Sequence, residues 1–378
     1  MNRFYSLDVF RGATVALMIL VNNPGSWSYV YPPLGHAKWH GCTPTDLVFP
    51  FFLFAVGNAM AFVMPRFTDN RQFWQKIIKR TIIIFGIGIL LNWFPFVKWQ
   101  DGSLVMKPLE NIRILGVLPR IALAYFFASV IIRFAGSKGG FVAGSVILLL
   151  YWWLCIAFGT PGDPFSINGF FGNAIDKAIL GESHMYHGEG IAFDPEGLAS
   201  TLPAIVQVIF GFLAGEYIIT KGKNTDMLAN FMVTAALLVF TAFCWDIVFP
   251  INKKIWTSSY VLYTTGLAMM VLGVMMYWIE LKGARGWVTR FLDVFGKNPL
   301  FIFVLSGVWV KLYALARIPD GIKDGKEVFI NAYSWLFKYV FQPALGDFPG
   351  SLAFAISHVI VFWLIGSILD RKKIYIRV

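Results

Sequence analysis

The stretch Asp46–Met64, DLVFPFFLFAVGNAMAFVM, decides the fold of this chain, because it has one charge, at its first residue, and is otherwise almost entirely apolar. A helix that crosses a bilayer needs about 20 mainly apolar residues, so a membrane-spanning helix is predicted here. Directly before it stands the polar run 36–45, HAKWHGCTPT, and another apolar stretch ends at Asn22. Two histidines, a thiol, a tryptophan and a carboxylate are thus predicted to gather at one membrane boundary.

The composition of the whole chain supports this interpretation. Of its 378 residues, 57% are hydrophobic, 17% are aromatic and only 14% are charged. Soluble domains are about half apolar and a quarter charged, so an integral membrane protein in contact with lipid is predicted. The net charge of +11 is what basic cytoplasmic loops facing anionic lipid would produce, and nucleic-acid binding is not predicted.

The hydropathy pattern predicts an all-α polytopic fold with about ten membrane-spanning helices. The predicted spans are approximately 5–23, 46–64, 77–95, 114–134, 140–158, 199–219, 228–249, 258–280, 295–314 and 349–369. The segment 329–345 is too short and too amphipathic for a span, so an interfacial helix is predicted there. The chain 1–378 is interpreted as one transmembrane domain with long outer loops at 159–198 and 314–348.

The positions of Lys and Arg predict that both termini face the cytoplasm. Basic residues gather in the loops after the second, fourth, sixth and eighth spans and at the C-terminus: Arg66, Arg71, Lys76, Lys79, Arg80, Arg133, Lys138, Lys221, Lys223, Lys282, Arg285, Arg290, Arg371, Lys372, Lys373 and Arg377. In the loop 159–198, by contrast, one lysine stands among six acidic residues. The polar run 36–45 is therefore predicted to lie on the outer side.

Polar groups within or beside the first two spans are candidates for function, because such groups are costly in lipid. Asp8 and Arg11 either cap the first helix and reach the cytoplasmic interface or have a functional role. They interrupt the apolar run and no small-residue cleavage site follows, so the helix is expected to be retained. Asn22 either ends this helix or donates to an oxyanion, and Asp46 either caps the second span or orients an imidazole.

The histidines of the polar run leave three alternatives open. His36 and His40 are four residues apart, and Cys42 follows two residues later, which is a spacing that zinc can use. His184 and His187 of the loop 159–198 could complete such a site. Both histidines of the run could instead be solvated side chains, or one could act as general base or nucleophile, because imidazole titrates near neutral pH.

Deeper in the spans, charged residues suggest a second functional class. Arg120, Asp246 and His358 could each pair with other buried groups, or together form the relay of a proton-coupled transporter. Lys297 and Asn298 stand where the ninth span begins on the cytoplasmic side, and a helix N-terminus with a lysine suits a phosphate. A transporter would explain the buried charges but not the polar outer loops.

Five stretches, in this order, resemble the transmembrane N-acetyltransferase family of heparan-α-glucosaminide N-acetyltransferase and its bacterial relatives. They are 6–12 with 21–22, 36–41 with 46–50, 116–120, the outer-loop motifs at 175–176, 180–181, 184–186 and 194–197, and 250–256 with 259–260. DPEG at 194–197 followed by NKxxW at 252–256 is more specific than any single motif. The resemblance covers nearly the whole chain.

The resemblance implies transfer of acetyl from cytosolic acetyl-CoA to the amino group of a glucosamine-type sugar on the far side of the membrane, with no metal. The family's active-site histidine matches His36. His40 stands where the lysosomal enzyme has asparagine, so its imidazole is not expected to be essential. We expect a bacterial cytoplasmic (inner) membrane, with the active site towards the periplasm. Whether two copies form a homodimer is left open.

The predicted site assigns a role to each residue. His36 is expected to take the proton of the sugar amine, Asp46 to orient His36, and Asn22 or a backbone amide to hold the oxyanion. An acetyl-His36 intermediate is the alternative. The expected donor-binding residues are Arg11, Arg120, Lys297 and Asn298. The expected acceptor-binding residues are Trp39, His184, Asp194, Glu196, Lys253 and Trp256. A hydroxyl of a cell-envelope polysaccharide is the alternative acceptor.

Overall fold

The computed structural model describes residues 4–100, 102–323 and 326–376. Its helices are α1 (Tyr5–Asn22), α2 (Val48–Val63), α3 (Asn70–Trp93), α4 (Val117–Phe158), α5 (Phe171–Leu180), α6 (Leu198–Lys221), α7 (Thr225–Asp246), α8 (Ser258–Met276), α9 (Trp287–Lys297), α10 (Pro299–Leu315), α11 (Ala332–Leu336), α12 (Gln342–Leu345) and α13 (Asp347–Arg371). Four short strands form two antiparallel hairpins, β1 (Val97–Gln100) with β2 (Ser103–Met106) and β3 (Arg317–Lys323) with β4 (Lys326–Asn331). The predicted all-α polytopic fold is confirmed.

Seven helical segments in the described part of the chain, which contain α1, α2, α4, α6, α7, α8 and α13, are long and apolar enough to cross a membrane. The pair α9–α10, bent by 80°, would make an eighth. Helix α4 contains two predicted spans, and its 42 residues are broken at Gly136, where φ is 65° and ψ is −174°. Helix α3 overlaps the predicted span 77–95 but is not among these seven segments. The count of ten and the cytoplasmic termini stay predictions, and Arg377, used for the orientation, lies outside the described residues.

The centre of the bundle is the contact between α2 and α6, where two glycines let the backbones approach closely. A Cβ atom on Gly57 would lie 2.1 Å from the carbonyl oxygen of Val208, and one on Gly211 would lie 2.3 Å from that of Phe54. Helices α1, α4 and α8 also contact α2. Most side chains on the first turns of α2 are therefore buried among neighbouring helices.

The two long segments predicted as outer loops contain regular structure. Residues 159–198 include α5 and a 3₁₀ turn at Glu182–His184, and residues 314–348 include β3, β4, α11, a π-helical turn at Phe337–Phe341 and α12. The predicted interfacial helix over 329–345 is helical only from Ala332 onwards, because residues 329–331 complete β4. The hairpin leaves a shorter amphipathic segment than the sequence pattern indicated.

Candidate active site

Asp46 is the anchor of the polar run that precedes α2. Its Oδ2 accepts hydrogen bonds from the backbone N–H groups of Ala37 and Thr43, both at 3.0 Å. Its Oδ1 lies 2.7 Å from Nδ1 of His36, and the residue is 1% exposed. With Thr43 it forms a capping box at the 3₁₀ turn that leads into α2. The same carboxylate thus caps the second span and contacts the imidazole.

Lys253 joins His36 and Asp46 in a cluster of three. Its Nζ lies 3.0 Å from Nδ1 of His36 and 3.3 Å from Oδ1 of Asp46. The segment between α7 and α8 brings it there, because the N–H of Gly41 donates to the carbonyl of Ile251 at 2.7 Å. This bond joins the polar run to the motif that contains the lysine. Lys253, predicted to bind the acceptor, therefore contacts the predicted base.

A cavity of about 160 Å³ opens beside this cluster. His36, Asn22, Glu196 and Lys253 line it, and the His36 side chain is 44% exposed. The rest of the lining is Thr45 and the apolar side chains of Met18, Val21, Val48, Phe49, Phe52, Val117, Ile121 and Phe303. A molecule in this cavity would meet an imidazole, an amide and two charged groups in an otherwise apolar chamber.

A second cavity, of about 80 Å³, adjoins the first towards the start of α1. Phe52 and Ile121 line both cavities. Arg11 and Arg80 line only the second, where the Arg80 guanidinium lies 4.8 Å from the ring centre of Tyr125. The remaining lining residues are Ala55, Val56, Ala59, Ile84, Pro299 and Leu300. The second cavity is therefore lined by two guanidinium groups at the cytoplasmic end predicted for α1, and that of Arg11 forms an ion pair with Asp8. In the sequence, Arg80 served only to predict the orientation of the chain in the membrane.

Arg113, which the sequence analysis missed, holds the acidic motif of the outer segment. Its Nε and Nη2 donate to the two carboxylate oxygens of Asp194 at 2.9 and 2.6 Å, and Nη2 also pairs with Glu196. Burial opposes the charged form, but the carboxylates of Glu196 and Asp194 raise the pKa of Arg113 above its usual value. Asp194 is 2% exposed and is held in this ion pair, whereas Glu196 also lines the first cavity.

The other predicted acceptor-binding residues lie outside the lining of the first cavity. Trp39 donates its Nε1 hydrogen to a backbone carbonyl of the segment 159–198 at 2.8 Å. His184 Nδ1 lies 2.8 Å from the carbonyl oxygen of Ile112. Trp256 is 1% exposed and packs on Phe49 with ring centres 5.0 Å apart. The structure gives these three side chains contacts that hold segments around the site, and their binding role stays a prediction.

Two of the predicted donor-binding residues hold the end of the chain. Lys297 forms ion pairs with Asp293 and Asp370, both at 2.8 Å. Asn298 is fully buried, and its Nδ2 donates to the carbonyl of Ile374 at 3.1 Å. Neither residue is among those that line the second cavity, where Arg11 does lie. Of the predicted donor-binding residues, only Arg11 lines the second cavity. Arg80, which was not predicted to bind the donor, lines it as well.

The remaining buried polar residues make separate local contacts. Arg120 is fully buried and donates to the carbonyl of Gly197 at 3.1 Å. Asp246 accepts from the N–H of Ile251 at 2.6 Å, and His358 Nδ1 contacts the carbonyl one turn earlier in α13 at 3.0 Å. Arg120 lies outside the lining of both cavities. No observation on these described residues joins them into the relay that a transporter would need.

The zinc alternative finds no ligand set in the part of the chain that the structure describes. Within 4–100, 102–323 and 326–376, no group of three or more His, Cys, Asp or Glu side chains could hold a metal ion. His40 Nδ1 lies 3.4 Å from the Asn252 amide, and burial lowers the pKa of this imidazole. Burial also raises the pKa of the Cys42 thiol to about 12, which keeps it protonated. The two histidines of the run are therefore not equivalent.

Comparison with known proteins finds one family model and several similar sequences. Residues 3–171 match the family described as Heparan-alpha-glucosaminide N-acetyltransferase, catalytic. The chain is 26% identical over 434 residues to Heparan-alpha-glucosaminide N-acetyltransferase of Homo sapiens. The match covers 99% of this chain and 59% of the human protein. It is 26% identical over 362 residues to the Mus musculus protein of the same name, covering 80% of this chain and 53% of that protein. The chain thus spans little more than half the length of these relatives.

The predicted family resemblance is confirmed by these matches. The matched family region contains His36, Asp46, Asn22, Arg11 and Arg80, whereas the acidic motif and the lysine of the first cavity lie beyond it. A shorter similarity, 29% identity over 102 residues to ATP synthase subunit a of Verminephrobacter eiseniae (strain EF01-2), covers 26% of this chain. That segment is too small a part of the chain to carry an argument about function.

Proposed function

We propose that this chain is a transmembrane acetyltransferase that moves acetyl from cytosolic acetyl-CoA to the amino group of a glucosamine-type sugar on the periplasmic side. The observation that carries the proposal is the pair of adjoining cavities that share Phe52 and Ile121. One offers guanidinium groups near the start of α1, and the other contains His36. The family match supports acetyl transfer as the chemistry.

The donor would enter from the cavity that contains Arg11 and Arg80. Guanidinium groups bind phosphate oxygens in a bidentate manner, so they suit the charged nucleotide end of coenzyme A. Arg11 and Asn22 are eleven residues apart on α1, which corresponds to about 16 Å along a helix. The narrow pantetheine arm would cross this distance past Phe52 and Ile121. Its thioester would then lie beside His36.

His36 would supply the base. When Nδ1–H donates to the ionised Asp46, the lone pair of the neutral imidazole is on Nε2. Nε2 takes a proton from the sugar amine as the amine nitrogen attacks the thioester carbonyl. The resulting oxyanion accepts a hydrogen bond from the amide of Asn22, which stabilises it. Collapse breaks the carbon–sulfur bond, and the imidazolium returns the proton to the leaving thiolate.

A covalent route uses the same nitrogen. Nε2 of His36 would attack the thioester, release coenzyme A and carry the acetyl group until the amine displaces it. Acetyl bound to the protein after rapid quench with acetyl-CoA alone would favour this route. A protein that is free of acetyl under those conditions would favour direct transfer.

Glu196 is the group that best suits an amino acceptor. It lines the cavity beside His36 and Lys253, and its ion pair with Arg113 holds it there. A carboxylate at this position attracts a sugar ammonium towards the base, and the ammonium releases one proton to water before its amine nitrogen attacks. A hydroxyl acceptor would gain less from this charge, which is why we favour amino transfer over O-acetylation.

The test is acetyl transfer by the purified protein in nanodiscs. Deuterated acetyl-CoA is offered with glucosamine, α-glucosaminides and muropeptide fragments, and products are identified by mass spectrometry. We expect N-acetylation by the wild type and by His40→Asn, and its loss in His36→Asn. Unchanged turnover in His36→Asn would contradict the role of His36. A lack of acetylated product with every acceptor would contradict the proposed function.

A further inference from the structure

We propose that Lys253 is a positioning residue that keeps His36 neutral with its lone pair on Nε2, by sharing Oδ1 of Asp46 with the imidazole. The inference rests on the proposed function, in which His36 is the base or the nucleophile. It assigns to Lys253 a role in the state of His36 rather than in binding the acceptor. Three distances carry it: 2.7 Å from Nδ1 to Oδ1, 3.0 Å from Nζ to Nδ1 and 3.3 Å from Nζ to Oδ1.

The hydrogen count at Nδ1 of His36 limits what Lys253 can do. A neutral imidazole has one N–H, so Nδ1 is either donor or acceptor. If Nδ1 accepted from Lys253, the hydrogen would be on Nε2 and His36 would be no base. The shorter contact is the one to Asp46, so Nδ1–H donates to the carboxylate. With the hydrogen on Nδ1, the ammonium of Lys253 forms its ion pair with the same Oδ1 at 3.3 Å and acts on the ring as a cation 3.0 Å from Nδ1.

The charges around His36 show why such a neighbour matters. A carboxylate bonded to an imidazole favours the imidazolium, and a nearby cation disfavours it. The charged groups facing the ring are Asp46, Lys253 and Glu196, and Glu196 is paired with Arg113. The thiol of Cys42 is neutral, since burial raises its pKa to about 12. Lys253 is therefore the cation that offsets Asp46.

Lys253 is held in place by its own backbone. The side-chain oxygen of Asn252 accepts from the N–H of Ile255 at 3.1 Å, and the N–H of Asn252 donates to the Thr257 hydroxyl at 3.0 Å. Burial lowers the pKa of Lys253, and the carboxylates of Asp46 and Glu196 oppose that shift. The rigid turn fixes the lysine, and the carboxylates favour its charged form.

The experiment is ¹⁵N NMR of histidine-labelled protein in nanodiscs, because the chain contains five histidines and His36→Asn identifies the signal of interest. We compare wild type, Lys253→Met, Lys253→Arg and Lys254→Met. Lys254 is the matched control, since it pairs with Glu189 at 2.5 Å instead. In Lys253→Met the titration midpoint of the His36 ring should move up by about one pH unit, the size expected for one charge at this distance in a water-like dielectric. Lys253→Arg and Lys254→Met should leave it near the wild-type value.

An unchanged or lowered midpoint in Lys253→Met would overturn the inference, as would a wild-type signal that shows hydrogen on Nε2. Lys253→Gln repeats the test if the methionine variant does not fold. The acidic limb of the pH–rate profile should move with the NMR midpoint. If NMR shows the shift but no acceptor is acetylated, the proposed function fails and the inference stands. If transfer requires His36 but neither readout responds to Lys253, the inference fails alone.

Discussion

Oδ1 of Asp46 lies 2.7 Å from Nδ1 of His36, while Oδ2 of the same carboxylate accepts two backbone N–H groups of the polar run. One buried side chain therefore fixes both the loop and the ring. The carboxylate that caps the 3₁₀ turn before α2 also holds the imidazole at the cavity. In the proposed function, helix capping and catalysis would therefore depend on the same residue.

Asp46→Asn should lower kcat about a hundredfold or more, because an amide can hold the ring in the wrong tautomer. Its free energy of unfolding should fall by about 1 kcal/mol, because the helix cap is weakened. Asp69→Asn is the control, since Asp69 caps α3 through the N–H of Gln72 at 2.7 Å and is exposed. That variant should keep full activity. Equal kcat in Asp46→Asn and wild type would exclude an orienting role.

Asn22→Ala should lower kcat by about 10²-fold with little change in KM, because the amide is expected to bond only to the developing oxyanion. Its neighbour Asn23 offers a contrast. Asn23 is 1% exposed and donates to the carbonyl of Ile19 at 2.6 Å. Asn23→Ala should therefore reduce Tm more than kcat. If Asn22→Ala raises KM for the acceptor and leaves kcat unchanged, Asn22 binds the sugar instead.

Arg80→Gln should raise KM for acetyl-CoA about tenfold, the effect of losing about 1.4 kcal/mol of phosphate binding. The KM for the sugar should not change, because Arg80 lines only the second cavity. Arg71→Gln, on the exposed start of the same helix, is the control. Steady-state kinetics with each substrate varied in turn measures both constants. A change confined to the sugar would contradict the assignment of this cavity to the donor.

Asp176 predicts a pH dependence of stability. Burial raises its pKa to about 6, although Oδ1 accepts from the N–H of Leu198 at 2.8 Å. Because the pKa of Asp176 is higher in the folded protein than in the unfolded chain, protonation of this carboxyl group stabilises the fold. The stabilisation is complete below the unfolded pKa of 3.8 and is lost as the pH rises through about 6. Asp176→Asn should match the wild type in Tm near pH 4 and exceed it at pH 8. An equal difference in Tm between Asp176→Asn and the wild type at both pH values would contradict this prediction.

The local part of the site could be predicted because its signals are close together in the sequence. Asn22 ends α1, His36 lies in the loop that follows, and Asp46 lies in the 3₁₀ turn that leads into α2. Motif resemblance and capping rules therefore identify them together. The two roles of Asp46 could not be separated from sequence, and the structure explains why, since its two oxygens serve different partners.

Lys253 and Glu196 were predicted as acceptor-binding residues from the family motifs, but their contacts could not be predicted, because charge alone does not say where a side chain points. Lys253 is 217 residues from His36, and tertiary contacts such as the bond from Gly41 to Ile251 bring the two segments together. Arg80 resembled an ordinary basic residue of a cytoplasmic loop. Lys297 resembled a phosphate ligand, yet Asp293 and Asp370 hold its ammonium. In each case a tertiary contact determined the surroundings of the charge.

In the proposed function, one chain joins a donor and an acceptor that lie on opposite sides of a membrane. Proteoliposomes with deuterated acetyl-CoA outside and an impermeant glucosaminide trapped inside test this transfer most directly, with His36→Asn as the control. We expect acetylated sugar in the lumen for the wild type and none for His36→Asn. Acetylation that occurs only when donor and acceptor share one side would contradict it.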